Sequence, residues 1–300
     1  MRAAVVHTPG DAEVIEIIET AIPEPKAGEV RIKVEAAGVN PVDLQTRAGV
    51  YHELGWVTAS SVGLGWDLAG TIDAVGDGVG EFVVGTPVAA LSAGVDKSFG
   101  AYAEYVVVPA DAVAQRPDGI TAVDAATVPL NALTAHQALV RFGPADGRRL
   151  LVTGAAGAVG GYALRLAADR GFEVGGLARE SDRAFVESMG GALVIALPEN
   201  AEWDAVFDAA ALGDAVLAAV KDDGIYVGVV PPAVPDAVRG IETSAVMVES
   251  SGEMLATLLI DAAAGRLPAR VHSVMPLEHA RAAHGVAAQP GARGRVVLVP

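Results

Sequence analysis

Three glycines spaced three residues apart, Gly154, Gly157 and Gly160, follow an apolar run that ends at Thr153. Glycine allows a tight turn between a strand and a helix, and it leaves no side chain to keep a phosphate away from backbone N–H groups. The N-terminus of the following helix adds positive potential. The spacing therefore predicts a turn that binds a pyrophosphate, with a packing turn as the alternative. The residues expected to contact it are Thr153, Gly154, Ala155, Gly157, Ala158, Val159 and Gly160.

The segments around this turn have the order that such a site requires. Residues 162–168 carry apolar positions three and four apart, which predicts a helix, and Gly171 ends it. A second apolar run, residues 172–178, follows at once. The resulting order of strand, glycine turn, helix and strand is the context of a dinucleotide-binding unit, so we favour cofactor binding.

The residues after the second apolar run bear on which dinucleotide is bound. Arg179 and Arg183 can neutralise a 2′-phosphate and Ser181 can donate a hydrogen bond to it, so we expect NADPH rather than NADH. Glu180 and Asp182 point the other way, because an acidic residue here favours the ribose hydroxyls of NAD. The alternative is a solvated helix start capped by Ser181 or Asp182.

Composition excludes several classes of function. The chain has 300 residues, 52% of them hydrophobic, and a formal net charge of −16. That charge argues against nucleic acid or an anionic membrane as a partner, since either demands a basic face. The chain has no cysteine, which excludes disulfides and thiolate catalysis. With no apolar segment long enough to span a bilayer, we expect a cytoplasmic protein without a membrane partner.

The character of the chain changes near residue 120. Before that point, short alternating runs such as residues 30–35 are separated by turn residues, which predicts a β-rich, barrel-like domain. From Val123 onward, helical patterns alternate with apolar strands, and this order predicts an α/β domain with a doubly wound parallel sheet.

Five segments, in this order along the chain, carry a resemblance to a known family. They are Gly38–Asp43, Gly65–Gly70, Gly100–Tyr105, Ala155–Gly160 and Gly294–Leu298. The chain resembles the medium-chain dehydrogenase/reductase superfamily, in particular its zinc-free quinone oxidoreductase branch, which includes zeta-crystallin-like proteins. The resemblance implies a β-rich GroES-like barrel domain of residues 1–121, completed by the C-terminal tail 263–300, and a Rossmann-type NADPH-binding domain of residues 122–262. It places the active site in the cleft between them.

The resemblance also indicates that no metal is bound. Zinc-dependent members of the superfamily carry a cysteine ligand where this chain has Asn40 and a histidine ligand where it has Trp66. An amide is a poor zinc ligand, and an indole donates a hydrogen bond but does not coordinate. We therefore expect hydride transfer from NADPH to a quinone or an α,β-unsaturated carbonyl, which is already electrophilic without a Lewis acid.

Two residues are candidates for the chemistry. The resemblance places Asn40 beside both the nicotinamide and the substrate, where its amide could bind a carbonyl oxygen that gains negative charge. Its alternative is a turn residue before Pro41. Tyr51 matches a pocket tyrosine of the family and could donate a hydrogen bond or a proton, whereas its alternative is a partly buried aromatic residue. Solvent could supply the proton instead.

The remaining candidates have weaker signals. Thr134 matches a family position near the cofactor, with a hydroxyl bonded back to its own helix as the alternative. Gly228 follows an apolar run and would let that strand end approach the cofactor. Arg293 or Arg295 could reach the active site from the tail, or either could be a surface charge. We interpret Trp56 and Trp66 as packing residues, and Asp43 and Asp67 as polar supports of turns or as catalytic groups.

Alternative functions and the assembly state stay open at this point. An enoyl or alkenal reductase of the same superfamily would need little more than a reshaped pocket. A non-catalytic NADPH-binding sensor or partner protein would keep the same glycine turn. The family forms dimers through edge strands of the nucleotide domain, so we expect a homodimer through residues 241–248, unless that segment is an interior strand.

Overall fold

The structure is a computed structural model that describes residues 1–197, 199–289, 291 and 293–300. Helices and strands account for most of these residues. The strands of this part of the chain are β1 Arg2–Val6, β2 Ile15–Glu19, β3 Glu29–Gly38, β4 Val62–Gly63, β5 Asp67–Val75, β6 Pro87–Leu91, β7 Tyr105–Pro109, β8 Val113–Gln115, β9 Arg149–Thr153, β10 Glu173–Leu177, β11 Ala192–Val194, β12 Trp203–Asp208, β13 Val220–Gly228, β14 Glu242–Ala245, β15 Val271–Pro276 and β16 Arg295–Val299. The helices are α1 Pro41–Ala48, α2 Val50–Glu53, α3 Ala122–Ala125, α4 Pro129–Arg141, α5 Ala158–Asp169, α6 Arg183–Ser188, α7 Asp214–Leu217, α8 Gly252–Ala263 and α9 Ala280–Ala287.

Contacts divide these elements into two units. Unit 1 comprises Met1–Leu130 and Glu249–Pro300, and unit 2 comprises Asn131–Val248. Unit 2 is therefore inserted into the chain of unit 1.

Unit 2 contains the predicted parallel sheet. Its six strands lie in the order β11-β10-β9-β12-β13-β14, and every neighbouring pair is parallel. Helix α5 packs on β9 and β10, as a crossover helix between parallel strands must. Strand β14, which covers half of the segment 241–248 considered for dimer formation, is at the edge of this sheet, so the interpretation of that segment as an interior strand is wrong.

Unit 1 contains a seven-stranded sheet and a three-stranded antiparallel sheet. The larger sheet has the order β15-β16-β3-β5-β6-β8, and β7 pairs with β3. The alternating strand β3 buries Val30, Ile32 and Val34 while Lys33 is exposed. Strand β16 pairs with β3 through Val297 and Gly38 and is parallel to β15. The C-terminal tail thus completes the β-rich unit, which confirms the predicted fold class.

The boundaries of the two units differ from the domain boundaries expected from the sequence. Residues 122–130 and 249–262 belong to unit 1, whereas the pattern assigned them to the nucleotide-binding domain. Helix α3 contacts β3 and β5, and α8 contacts β8. A Cβ on Gly252 would lie 2.1 Å from the carbonyl oxygen of Val113, so the start of α8 lies directly against β8. These contacts explain the difference.

Among the described residues, no helix combines the length and the apolar character needed to cross a bilayer.

Candidate functional site

The glycine turn in unit 2 has the geometry that its spacing predicts. Strand β9 ends at Thr153, Gly154 has a left-handed backbone with φ +58°, and Gly157 is the N-cap of α5. The Gly157 N–H donates to the Gly154 carbonyl oxygen at 2.8 Å. A Cβ on Gly160 would lie 2.3 Å from that same oxygen, so only glycine fits there. Since the first N–H groups of a helix have no partner within it, those of Ala158 and Val159 can bind an anion.

The side chains around this turn separate into buried and exposed ones. Ala155 and Ala156 are buried, Ala158 and Val159 are half-buried, and Gly157 is exposed. The Ala155 N–H donates to the Leu177 carbonyl oxygen at 3.2 Å. The part of the turn left accessible is therefore backbone at the start of α5.

Asp208, which the sequence did not single out, holds the loop beside the turn. Its Oδ1 accepts the Thr153 hydroxyl at 2.5 Å, and its Oδ2 accepts Gly213 N–H at 2.9 Å and the Tyr226 hydroxyl at 2.8 Å. The Thr153 Oγ1 in turn accepts the Ala210 N–H at 3.0 Å. Thr153 and Asp208 are both buried. The Thr153 hydroxyl thus joins the ends of β9 and β12.

Gly228 lies at the end of β13, as predicted, and it is buried. A Cβ there would lie 3.0 Å from the Tyr226 hydroxyl oxygen. Glycine at this position therefore leaves room for the hydroxyl that Asp208 binds.

The three candidates for a 2′-phosphate follow β10 and are all exposed. The Arg183 guanidinium binds both carboxylate oxygens of Glu180, with Nε to Oε1 at 2.7 Å and Nη2 to Oε2 at 3.0 Å. It also contacts Glu187 at 3.2 Å. These hydrogen bonds lower the pKa of Glu180. Arg179 makes no ion pair with any described residue. Asp182 occupies the N-cap position of α6, but its side chain does not cap the helix.

Asn40 in unit 1 is fully buried at the start of α1. Its Nδ2 donates to Asp67 Oδ2 at 2.8 Å, and its contact with the Gly38 carbonyl oxygen is longer, at 3.5 Å. Its backbone N–H donates to Asp43 Oδ2 at 2.8 Å. Two carboxylates therefore fix both the backbone and the side chain of Asn40.

The two aspartates are fully buried as well. Asp67 accepts the Leu130 N–H at 2.7 Å, and Asp43 accepts the Gly65 N–H at 3.1 Å and the Tyr102 hydroxyl at 3.0 Å. Burial raises the pKa of Asp67 to about 7, although its hydrogen bond from Asn40 acts in the opposite direction. Burial also raises the pKa of Asp43. Both residues thus form part of one polar cluster, rather than separate turn supports.

Tyr51 on α2 is half-buried, and its hydroxyl donates to Gln45 Oε1 at 2.7 Å. Its ring stacks on Trp56 with centroids 5.6 Å apart, and Trp56 is 41% exposed. Trp56 thus packs on Tyr51 with one part of its surface exposed. Burial and the nearby Asp43 charge raise the pKa of Tyr51, which places its hydroxyl in the electrostatic range of the Asn40 cluster.

The other candidates are placed as follows. Thr134 is buried within α4 of unit 2, while Arg293 and Arg295 are partly buried in unit 1, where the Arg295 charge lowers the pKa of Asp67. Trp66 is half-buried beneath the Lys97 ammonium, 5.4 Å from its ring centroid. Lys97 was missed by the sequence interpretation, because its contacts with Gly65 and Trp66 join residues more than 30 positions apart along the chain.

The donor set around Asn40 does not fit zinc. The amide nitrogen is committed to Asp67, the neighbouring Trp66 offers no lone pair to a metal, and the nearby lysine is cationic. Within the described ranges, no group of three or more His, Cys, Asp or Glu side chains could hold a metal ion.

Comparison with known proteins gives matches across the chain. Residues 26–118 match the family described as "Alcohol dehydrogenase GroES-like domain", and residues 186–298 match "Zinc-binding dehydrogenase". The chain is 30% identical over 317 aligned positions to the NADPH-dependent alkenal/one oxidoreductase of Arabidopsis thaliana, covering 100% of this chain and 80% of that protein. A mycobacterial protein solved in complex with NADPH is 28% identical, with a TM-score of 0.83 over 100% of both chains.

A further relative matches part of the chain. It is the chloroplastic quinone-oxidoreductase homolog of Spinacia oleracea, 35% identical over 164 residues, which are 53% of this chain and 49% of that protein. The chain thus aligns with about half the length of that relative.

The protein belongs to the medium-chain dehydrogenase/reductase superfamily. Within it, the chain is similar to quinone oxidoreductases and alkenal reductases, which confirms the predicted family and agrees with the predicted oxidoreductase class.

Proposed function

We propose that the protein is an NADPH-dependent reductase that transfers hydride to a quinone or an α,β-unsaturated carbonyl without a catalytic zinc. The observation that carries this proposal is the buried Asn40 amide, fixed by Asp67 in a donor set that does not fit zinc. A ketone or alcohol gains most from a Lewis acid, whereas a conjugated carbonyl or quinone is already electrophilic. The names of the relatives support both acceptor classes.

The turn from Gly154 to Gly160 fits a dinucleotide pyrophosphate, because glycine at 160 lets α5 pack directly on the turn and Gly157 leaves the backbone at the start of α5 exposed. Bound NADPH would supply the hydride, and the chain's task is to bind and orient it. The N–H groups of Ala158 and Val159 at the start of α5 would hold the pyrophosphate. The proposed further contacts of the cofactor are Asn40, Thr134, Thr153, Ala155, Gly228 and Arg293.

Asn40 is the proposed hydrogen-bond donor to the substrate oxygen. The Nδ2 of its amide lies 2.8 Å from Asp67 Oδ2 and 3.5 Å from the Gly38 carbonyl oxygen. An amide held in place in this way can stabilise an oxygen that gains negative charge without first having to reorganise. The Tyr51 hydroxyl, oriented by Gln45, is the proposed proton donor, with solvent as the alternative source.

The proposed preference for NADPH over NADH is supported by Arg179 and Ser181. Both are exposed after β10, and the Arg179 guanidinium makes no ion pair with the described residues. An unpaired guanidinium is a bidentate partner for a phosphate. An NADPH-dependent relative and an NADPH-bound structural neighbour agree with this choice.

The first experiment is a parallel titration of the purified protein with NADPH and NADH, in which nicotinamide fluorescence reports binding. A quinone and an enone are then added while the absorbance of the reduced nicotinamide is recorded. Tight NADPH binding with oxidation that requires an acceptor would support the reductase. Binding without oxidation by either acceptor class would favour a sensor or partner protein.

Two variants test the catalytic residues in the same assay. Asn40→Ala and Tyr51→Phe should each lower kcat while NADPH still binds. Tyr105→Phe is the matched control, because Tyr105 is also half-buried in unit 1 and its ring faces Arg31. Full turnover by the Asn40→Ala, Tyr51→Phe double variant would contradict both assignments.

The proposed assembly is a homodimer through β14. This strand is the edge of the parallel sheet, and Met247 just after it is 56% exposed. An open edge strand with an apolar neighbour is a common dimer surface. Light scattering of the wild type and Met247→Arg tests this, since a wild-type monomer would contradict it. A cytoplasmic location, supported by the absence of cysteine, also remains a proposal.

A further inference from the structure

The Lys97 side chain is the only lysine of the described residues whose ammonium is bound by backbone carbonyls. Its Nζ donates to the Gly65 carbonyl oxygen at 2.9 Å, to Ser92 Oγ at 3.2 Å and to the Ser92 carbonyl oxygen. All three acceptors are neutral oxygens. An ammonium has three hydrogens to donate and an amine has two, so this arrangement fits the charged form.

Gly65 connects Lys97 to the candidate site through its own hydrogen bonds. Its carbonyl binds Lys97, and its N–H donates to Asp43 Oδ1 at 3.1 Å. Its φ of +95° lies in the left-handed region, and a Cβ would lie 2.4 Å from a ring carbon of Tyr102. Lys97 and Asp43 therefore bind the two sides of one residue whose backbone has no room to shift.

Asp43 connects Gly65 to Asn40 by accepting a hydrogen bond from each. Its two oxygens accept three donors, the N–H groups of Asn40 and Gly65 and the Tyr102 hydroxyl, at 2.8, 3.1 and 3.0 Å. A carboxylate accepts all three without competition, whereas a protonated carboxyl carries a hydrogen on one of these two oxygens and is a weaker acceptor. The hydrogen bond that positions the Asn40 backbone is therefore strongest when Asp43 is ionised.

The charges that face this carboxylate come from several elements. Lys97 is the cation and Asp67 is the second anion, while the Arg295 charge acts on Asp67 and on Tyr102. The hydroxyls of Tyr51 and Tyr102 face it as neutral groups, and the ring of the buried His284 meets Tyr102 edge-on at 5.8 Å. Burial raises the pKa of Asp43, and the Lys97 charge lowers it. Burial acts in the opposite sense on Lys97 and lowers its pKa.

We propose that Lys97 is a positioning residue for the reaction, whose ammonium holds Gly65 and keeps Asp43 ionised so that Asn40 stays in its reactive place. The inference rests on the proposed function, because it gives Asn40 a role toward substrate. Lys97 itself does not touch Asn40 in the structure, and its effect passes through Gly65 and Asp43.

The sign of the effect follows from the charges. Removing the ammonium raises the pKa of Asp43 further, because the attraction that favours its charged form is gone. Asp43 then takes up a proton at higher pH, and its hydrogen bonds from the three donors weaken. The acid limb of the kcat/KM profile therefore moves toward neutral pH, while the rate at high pH is retained.

Three proteins test this: the wild type, Lys97→Met and Lys97→Arg. Lys26→Met is the control for loss of one positive charge, because Lys26 is exposed in unit 1. We expect Lys97→Met to raise the midpoint of the acid limb by about one pH unit, which is about a tenfold loss of kcat/KM on that limb. Lys97→Arg should restore the wild-type midpoint, and Lys26→Met should keep it.

Carbon-13 NMR of the aspartate carboxyls gives a readout that needs no turnover. Asp43→Asn identifies the Asp43 signal, whose midpoint should rise in Lys97→Met and return in Lys97→Arg. An unchanged Asp43 midpoint in Lys97→Met would overturn the inference, even if the enzyme loses activity. Failure of the wild type to oxidise NADPH would contradict the proposed function but leave this titration interpretable.

If Lys97→Met does not fold, the wild-type spectrum still decides. An Asp43 carboxyl that remains protonated at pH 8 would overturn the inference, since the proposed role of Lys97 is to keep that carboxyl ionised. An Asp43 carboxyl that is ionised at pH 8, together with an acid limb of kcat/KM that follows its titration, would support it.

Discussion

The two candidate regions bind their partners in opposite ways. In unit 1, buried side chains are held by other side chains, as Asn40 is by Asp67. In unit 2, the glycine turn offers backbone N–H groups at an accessible helix start, and its only strict requirement is the absence of side chains. The buried cluster around Asn40 should therefore respond strongly to pH and to changes in charge. The glycine turn should respond strongly to added side-chain volume.

The largest expected effect is the pH dependence of stability in unit 1. Burial raises the folded-state pKa of Asp67 to about 7, so its contribution to the free energy of unfolding is full below pH 4 and is lost as pH rises through 7. The loss is on the order of 4 kcal/mol. Urea unfolding at pH 5 and pH 8 should show a smaller difference in Asp67→Asn than in the wild type. Glu16→Gln, at an exposed position, is the control. The same difference between pH 5 and pH 8 in Asp67→Asn as in the wild type would contradict the burial argument.

The next effect concerns volume in unit 2. In Gly160→Val, the added Cβ would lie 2.3 Å from the Gly154 carbonyl oxygen, so the turn must open. We expect NADPH affinity to fall by about 100-fold, in line with about 1–3 kcal/mol for overpacking. Gly285→Ala is the control, because nothing lies within 4 Å of its Cβ position. Nicotinamide fluorescence measures both, and unchanged binding by Gly160→Val would remove the turn from the cofactor site.

A smaller effect concerns the free energy of unfolding and one buried histidine of unit 1. His284 is fully buried, and neither ring nitrogen has a hydrogen-bond partner in the described part of the chain. Burial, aided by the Arg47 charge, lowers its pKa to about 3. His284→Leu should raise the free energy of unfolding by about 1–2 kcal/mol, because it removes unsatisfied polar atoms. Thermal unfolding at pH 7 checks this, and destabilisation would indicate that the ring is held by contacts other than hydrogen bonds.

The smallest effect is on cofactor choice. Both carboxylate oxygens of Glu180 bind the Nε and Nη2 edge of the Arg183 guanidinium, so Glu180 competes with a 2′-phosphate for that group. In Glu180→Gln, the ratio of NADPH to NADH affinity should rise by about five- to tenfold, the range of one exposed charge-assisted contact. Glu187→Gln should have a weaker effect, because Glu187 makes a single contact at 3.2 Å. An unchanged ratio in Glu180→Gln would place the phosphate away from Arg183.

Local patterns explain what the sequence predicted correctly. The glycine turn, its flanking strands and α5 follow from residues close together in the chain, and their ends differ from the expected ones by a few residues. Lys97 and Asp208 could not be found in this way, because each acts on residues about 30 or more positions away, Gly65 and Thr153. Neither has a local pattern. Asp43 and Asp67 were noticed, but only the fold shows that Asn40 links them.

The pairing of β16 with β3 also affects how the protein is made on the ribosome. Val297 lies beside Gly38, and β7 pairs only with Glu29–Lys33 on this edge of β3, so the end of β3 near Gly38 stays unpaired there until synthesis reaches β16. All six strands of the sheet in unit 2 are complete by Ala245 and can assemble earlier. The inserted unit therefore finishes folding before its host, and the nascent host is the part that needs protection from aggregation.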